Sequence, residues 1–133
     1  MGQGEGHKRV AKKRGGAQNA EHESLLHEIL IHYGSSPFLR IFKQTTGKGV
    51  MNGRWIHFGS RGMSDLFGFT RIGQAFFVEI KTGSAKLSKV QQNFRRVVLE
   101  FGCLYLECRN LEDFAEFHDK LSTNITQIAN RRL

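Results

Sequence analysis

The chain is poor in several residue types that would commit it to particular structures. It holds one proline and two cysteines among 133 residues, so neither a proline-rich extended segment nor a disulfide scaffold is expected. No apolar run approaches the roughly 18 residues of a membrane span. The N-terminal residues lack the apolar stretch of a secretory signal. We therefore expect a protein of the reducing cytoplasm that does not enter membranes.

Negative charge is also scarce, and the cations are unevenly placed. Twenty Lys and Arg stand against 12 Asp and Glu, which gives a net charge of +8. Residues 1–20 show almost no apolar periodicity and predict a flexible basic arm that attracts phosphates, with a solubilising tail as the alternative. Its cations are Lys8, Arg9, Lys12, Lys13 and Arg14. Three further candidates for contact with a nucleic-acid backbone, or for plain solvated charge, are Lys43, Lys48 and Arg54.

The remaining sequence predicts one α/β domain over residues 21–122, followed by a tail over 123–133. Residues 43–53 are interpreted as a loop, and Trp55 and Phe58 as core residues rather than as platforms for unpaired bases. The element order predicts a central mixed β-sheet flanked by helices. Apolar spacing predicts helices over 21–33, 89–101 and from 111, and strands over 38–42, 54–58, 66–70, 75–81 and 103–108.

Two carboxylates and a lysine are predicted to meet beside one hairpin of this sheet. Glu79 and Lys81 are two residues apart on a strand and therefore share a face. Asp65 becomes the cross-strand neighbour of Glu79 if the turn centres near residue 72. Such a cluster can hold a divalent cation and offset charge in a phosphoryl transition state. An ordinary Glu–Lys pair on an exposed face is the alternative.

The same residues resemble a nuclease signature. Asp65, Glu79 and Lys81 match the pattern of PD-(D/E)xK nucleases, with Ser64 where that signature has proline. The similarity extends over about residues 21–120 to the virus-type replication-repair nuclease (VRR-NUC) branch. It rests on the runs Phe58–Leu66, Phe77–Thr82 and Leu87-Ser88-x-x-Gln91. The resemblance implies a restriction-endonuclease-like core and a metal-dependent DNA endonuclease.

The resemblance also implies a role for each matching residue. Mg²⁺ or Mn²⁺ would be bound by Asp65, Glu79 and the backbone carbonyl of Ile80. Gln91 would reach towards Lys81 and the scissile phosphate. The implied catalytic set is therefore Asp65, Glu79, Lys81 and Gln91.

A glutamate of the first helix completes the metal site in that family. Glu23 is the first choice here, because it lies on the helical stripe expected to face the sheet. Glu21 and Glu28 are the alternatives. For each of them, a solvent-facing helix charge is the other interpretation.

Branched DNA is the substrate that the resemblance favours. Small members of the branch resemble Holliday-junction resolvases, and a four-way junction needs two matched cuts, so we expect a homodimer. A flap or nicking nuclease is the nearest enzymatic alternative, and a non-catalytic nucleic-acid-binding module is the alternative from another class. No nucleotide cofactor is expected, because Thr46–Gly49 lacks the glycine spacing of a phosphate loop. The expected location is the cytoplasm of a bacterium or of a phage-infected host.

Overall fold

The computed structural model describes residues 10–45, 47–58 and 62–131. Within these ranges the helices are α1 (Val10–Tyr33), α2 (Lys89–Glu100) and α3 (Leu111–Arg131). The strands are β1 (Leu39–Lys43), β2 (Gly47–Met51), β3 (Arg54–Phe58), β4 (Leu66–Thr70), β5 (Ala75–Ile80) and β6 (Leu104–Cys108). None of the described helices combines the length and the apolar character needed to cross a membrane.

A four-stranded sheet with the spatial order β1-β4-β5-β6 forms the centre of the fold. β4 runs antiparallel to both β1 and β5, whereas β5 and β6 are parallel. Parallel neighbours need a crossover connection, and α2 supplies it. The predicted α/β class with a mixed sheet is therefore confirmed. β2 and β3 form a separate two-stranded sheet.

Side-chain alternation along β5 separates two packing faces. Phe76, Val78 and Ile80 are fully buried on one face, where the Phe76 ring meets Phe117 of α3. Phe77 points to the opposite face and meets the Phe94 ring of α2 edge to face, with ring centroids 5.2 Å apart. Glu79 shares the face of Phe77, so its carboxyl group lies on the α2 side and not in the apolar core.

Helices α1 and α3 cover the other face of the sheet. Leu26 and Ile29 of α1 and Phe114 of α3 are buried in one core with Leu66 and the inward residues of β5. Each such side chain contributes about 1.5–3 kcal/mol relative to an exposed position. This core fixes the hairpin of β4 and β5, and with it the two ends from which Asp65 and Glu79 project.

Both predicted terminal segments are wrong where the structure describes them. α1 begins at Val10, so residues 10–20 are helical and not a flexible arm. Alanine, glutamine, lysine and arginine favour a helix there, despite two glycines, and the helix continues into the buried stripe of α1. α3 continues to Arg131, so residues 123–131 are not a tail. Ile125 explains the extension, because it is buried one helical turn after the buried Leu121.

The predicted loop over residues 43–53 is also wrong, since it contains the end of β1 and all of β2. Asn52 and Gly53 connect β2 to β3 with φ angles of 52° and 73°. Positive φ at both central residues is the geometry of a two-residue type I′ hairpin turn. Trp55 on β3 is 76% exposed, which contradicts its predicted place in the core. The side chain of Phe58 lies outside the described residues.

Candidate active site

The structure brings Asp65 and Glu79 together at the end of the central hairpin. Leu66 pairs with Val78, which places Asp65 beside Glu79 one position further along. The Asp65 carboxylate is held by the backbone, because Oδ2 accepts a hydrogen bond of 2.8 Å from the Ile80 amide. The spacing argument from the sequence thus predicted this contact between strands correctly.

Glu79 is the buried member of the pair, with 4% of its surface exposed. Burial, with the negative charge of Asp65 as the second cause, raises the pKa of Glu79 from 4.5 to about 8; Lys81 acts in the opposite direction. The Lys81 Nζ atom lies 3.8 Å from Glu79 Oε1. The second oxygen, Oε2, is buried and has no hydrogen-bond partner among the described residues. A buried acid with one unsatisfied oxygen is costly unless something binds there.

Gln91 is fixed on Glu79 by the way α2 begins. Ser88 caps the helix. Its hydroxyl accepts a hydrogen bond from the backbone N–H of Gln91, and its own backbone N–H donates to the side-chain oxygen Oε1 of Gln91. Because Oε1 is occupied, the Nε2 group is free to point at the site, and it donates to Glu79 Oε1 over 2.8 Å. Gln91 and Lys81 therefore approach the same carboxylate oxygen. Their expected contact with a phosphate stays a prediction.

Helix α1 reaches the site through a histidine that the sequence analysis did not assign. The His22 Nε2 atom lies 3.1 Å from Asp65 Oδ2. Glu23, the predicted metal ligand, lies next to this contact: its carboxylate is 3.9 Å from His22 Nδ1 and 3.4 Å from Lys43 Nζ. The role of Glu23 as a metal ligand stays a prediction, as does the role of the Ile80 carbonyl.

The two alternative glutamates of α1 point elsewhere. Glu21 and Glu28 line an open cleft of about 540 Å³, which is bounded by Thr82 and Gly83 after β5 and by Arg109 between β6 and α3. This arrangement separates them from His22 and Glu23, the α1 residues that approach Asp65 and Lys43. Glu23 contacts His22, the residue that approaches Asp65.

Strand β6 adds polar groups that the sequence analysis missed. Glu107 stands opposite Glu79 in the parallel pairing and binds Arg109 Nη2 over 2.7 Å. Arg109 also donates to the carbonyls of Gly83 and Ala85, which ties the loop after Lys81 to β6. Tyr105 has a buried hydroxyl without a partner among the described residues, and burial raises its pKa. The sequence contained a signal for the position of Glu107. The strand–helix–strand order of β5, α2 and β6 predicts that β6 lies beside β5.

The cations predicted to contact DNA are only partly described. Lys8 and Arg9 lie outside the described residues, as do the side chains of Lys12, Lys13, Arg14 and Lys48. Lys43 pairs with Glu23, and Arg54 is exposed on the β2–β3 hairpin. Contact of all eight with nucleic acid stays a prediction.

The donor set at Asp65 and Glu79 fits a hard divalent cation. The described residues contain no ready-made group of three or more His, Cys, Asp or Glu side chains arranged to hold a metal. Mg²⁺ does not require such a group, since it is usually bound by one or two carboxylates together with water and substrate phosphates. The buried, unpartnered Glu79 Oε2 is an oxygen that such a cation would satisfy.

Neither a scan against protein-family models nor a search of curated proteins gives a match to this chain. The chemistry of the site therefore follows from its own side chains. Two adjacent carboxylates can hold a cation, an ammonium group 3.8 Å from one of them can face an anionic substrate, and an amide fixes the carboxylate. These are the parts that metal-assisted hydrolysis of a phosphodiester requires.

Proposed function

We propose that this protein is a metal-dependent DNA endonuclease that hydrolyses phosphodiester bonds with a PD-(D/E)xK site of the VRR-NUC type. The half-buried Asp65 and the buried Glu79 carry the proposal, because Glu79 Oε2 has no hydrogen-bond partner among the described residues and Lys81 lies beside Glu79. A pair kept only for stability would have its buried oxygens satisfied by the protein itself. An oxygen left open next to a lysine is instead suited to a cation and an anionic substrate.

Each residue of the site has a separate proposed role, which follows from its position. Asp65 and Glu79 would hold Mg²⁺ or Mn²⁺, with Glu23 and the Ile80 carbonyl as further candidates. When bound, the cation polarises the phosphoryl oxygen and lowers the pKa of its water. Lys81 faces the charge that develops on the phosphate. Gln91 is a positioning residue, since its amide fixes Glu79 Oε1.

Branched DNA acted on by a homodimer is the substrate arrangement that we propose. A net charge of +8 favours a polyanionic partner. A two-fold dimer presents two equivalent sites, as two matched cuts in a four-way junction require. The proposed setting is the bacterial or phage-infected cytoplasm, without a nucleotide cofactor.

A non-catalytic DNA-binding module is the second candidate, because the positive charge favours it equally. The two candidate functions differ in whether they need the carboxylates of Asp65 and Glu79. Asp65 and Glu79 would repel a phosphate without a cation, and backbone binding alone has no use for them.

Cleavage of end-labelled DNA by the purified protein tests these functions together. The substrates are a four-way junction, a flap, a blunt duplex and a single strand, each with Mg²⁺, Mn²⁺ or EDTA. Paired symmetric cuts in the junction that require metal would support a junction resolvase. Metal-dependent cuts confined to other substrates would leave a flap or nicking nuclease. Tight binding without cleavage of any substrate would contradict the nuclease and favour the binding module.

A further inference from the structure

The β2–β3 hairpin holds an apolar pair in solvent. Residues 50–55 are all exposed. Val50 and Trp55 are 63% and 76% exposed and stand directly opposite each other in the hairpin register. Their side chains therefore lie side by side on one face. Tryptophan is usually buried over most of its surface, so an indole in this position calls for a ligand that covers it.

The hairpin presents the indole on a defined backbone. The type I′ turn at Asn52 and Gly53 matches the twist of paired strands and fixes the register of Met51 opposite Arg54. Trp55 directly follows Arg54 on β3. A side chain held on a paired strand loses less conformational freedom on binding than one on an irregular loop.

The base of the hairpin is joined to the segment that carries Asp65 of the proposed active site. It is inserted between β1 and the segment that carries Asp65, and the Gln44 amide before it donates to the Asp65 carbonyl over 2.8 Å. Trp55 is three residues from the end of β3, which is roughly 10 Å at about 3.3 Å per residue. About three nucleotides of one strand span that length. The hairpin thus extends over a few nucleotides' length from a segment that contacts Asp65, and we expect DNA bound at Asp65 and Glu79 to come within reach of Trp55.

Charge in this part of the sequence favours a nucleic acid as the ligand. Residues 40–64 contain no Asp or Glu, and their cations are Arg40, Lys43, Lys48, Arg54 and Arg61. An unpaired nucleotide combines a flat aromatic face with a phosphate, which matches an exposed indole in a stretch of sequence whose only charged side chains are cationic. The bases of a blunt duplex are already stacked on each other, so their faces are not available.

We propose that Trp55 is a stacking platform for an unpaired DNA base, through which the hairpin favours single-stranded or branched DNA over blunt duplex. The inference rests on the proposed nuclease function for its location next to a cleavage site. Binding can nevertheless be measured without metal, in EDTA, where no cleavage occurs. The failure of either proposal is therefore visible independently of the other.

Fluorescence of the full chain tests the proposal directly, because Trp55 is its single tryptophan. The intact protein is titrated in EDTA with a thymidine 20-mer, a forked duplex and a blunt 20-base-pair duplex. We expect the first two to quench Trp55 emission strongly and the blunt duplex to quench it weakly. Stacking of bases on Trp55 is the expected cause of this difference.

Affinities for labelled DNA then separate stacking from charge. Trp55→Ala should weaken binding of the single strand and the fork by about 5- to 150-fold, with binding of the duplex changed less than about twofold. Trp55→Phe should recover part of the loss, since a smaller ring still stacks. Phe101→Ala is the matched control, because Phe101 is an aromatic residue that is 82% exposed at the end of α2. It should leave all affinities within about twofold.

Several results would overturn the proposal. Equal quenching by all three DNAs, or equal loss of affinity for single strand and duplex in Trp55→Ala, would show that Trp55 does not bind unpaired bases. A blue shift of Trp55 emission on phosphatidylserine vesicles, without a response to DNA, would assign the hairpin to a membrane surface. A blue shift that grows with protein concentration alone would assign it to contact with a second copy.

Discussion

Glu79→Gln should make the protein less sensitive to alkaline pH, because it removes a buried acid that keeps its proton to a higher pH in the folded protein than in the unfolded chain. The pKa of Glu79 rises from 4.5 to about 8 on folding, chiefly through burial and then through the charge of Asp65. Below pH 4.5 the group is protonated in both states. Between pH 4.5 and 8 the unfolded chain releases the proton and the folded protein keeps it, so stability falls as pH rises.

The size of the fall follows from the same numbers. Each tenfold change in proton affinity is worth about 1.4 kcal/mol, so the full change for Glu79 corresponds to about 5 kcal/mol. Because the charges of Asp65 and Lys81 act on Glu79 in opposite directions, we expect a measured difference of at least about 2 kcal/mol between the two ends of the range. Glu79→Gln does not titrate, so its stability relative to wild type should improve by that amount from pH 4.5 to pH 8.5.

Urea unfolding followed by far-ultraviolet circular dichroism measures this difference. The wild type and Glu79→Gln are compared at several pH values in EDTA, so that no cation stabilises the carboxylates. Glu116→Gln is the matched control, because Glu116 is an exposed acid paired with Lys120 on α3. Its curve should follow the wild type within about 0.5 kcal/mol. If the Glu79→Gln curve also runs parallel to the wild type, or if the gap opens towards low pH, the linkage assigned to Glu79 is wrong.

Three further outcomes follow from the site and the sheet. Mg²⁺ at a hundred times its dissociation constant should stabilise the wild type by about 2.7 kcal/mol, seen as a higher melting temperature, and Glu79→Gln should abolish the rise. His22→Ala should lower the cleavage rate by about 10- to 100-fold, because His22 holds Asp65, whereas the exposed His27→Ala should not; equal rates would contradict this role. Gly68→Ala should destabilise the protein by about 1–3 kcal/mol in urea unfolding, because a Cβ atom there meets the Arg40 carbonyl of β1, and unchanged stability would refute that close approach.

The part of the site that could be predicted from the sequence is the part built by short-range geometry. β4 and β5 are short, mostly apolar runs joined by a tight turn, where Gly73 has a φ of 80°. Once the turn position was known, strand pairing determined that Asp65 lies beside Glu79. The helix cap at Ser88 placed Gln91 in the first turn of α2 for the same reason.

Other features depended on contacts between distant elements. His22 touches Asp65 because α1 packs across the sheet, and no local pattern predicts that packing. A partial signal existed, since the buried Leu25 and Leu26 follow His22 by three and four residues and so lie on its face of the helix. The burial of Glu79 likewise comes from a distant element. The crossover between β5 and β6 places α2 over the face of the sheet that carries Glu79.

The sequence contained a signal for the β2–β3 hairpin, but the glycines before the turn favoured a loop instead. Asn52-Gly53 is a strong hairpin dipeptide, yet Gly47 and Gly49 made the strand before it resemble a loop. The exposure of Trp55 could not be predicted from its chemistry, because most tryptophans are buried. A residue that departs from that preference is informative only once the structure places it.

Single-turnover cleavage by Lys81→Ala tests the central claim most directly. The substrate is the labelled DNA that the wild type cuts best in Mg²⁺, and Lys120→Ala is the matched control because Lys120 is an exposed lysine of α3. We expect Lys81→Ala to lose about a hundredfold or more in rate, as expected when a charge facing the transition state is removed, with Lys120→Ala within about twofold and all cleavage absent in EDTA. Cleavage that persists in EDTA, or a Lys81→Ala rate equal to that of the control, would contradict a metal-dependent PD-(D/E)xK site.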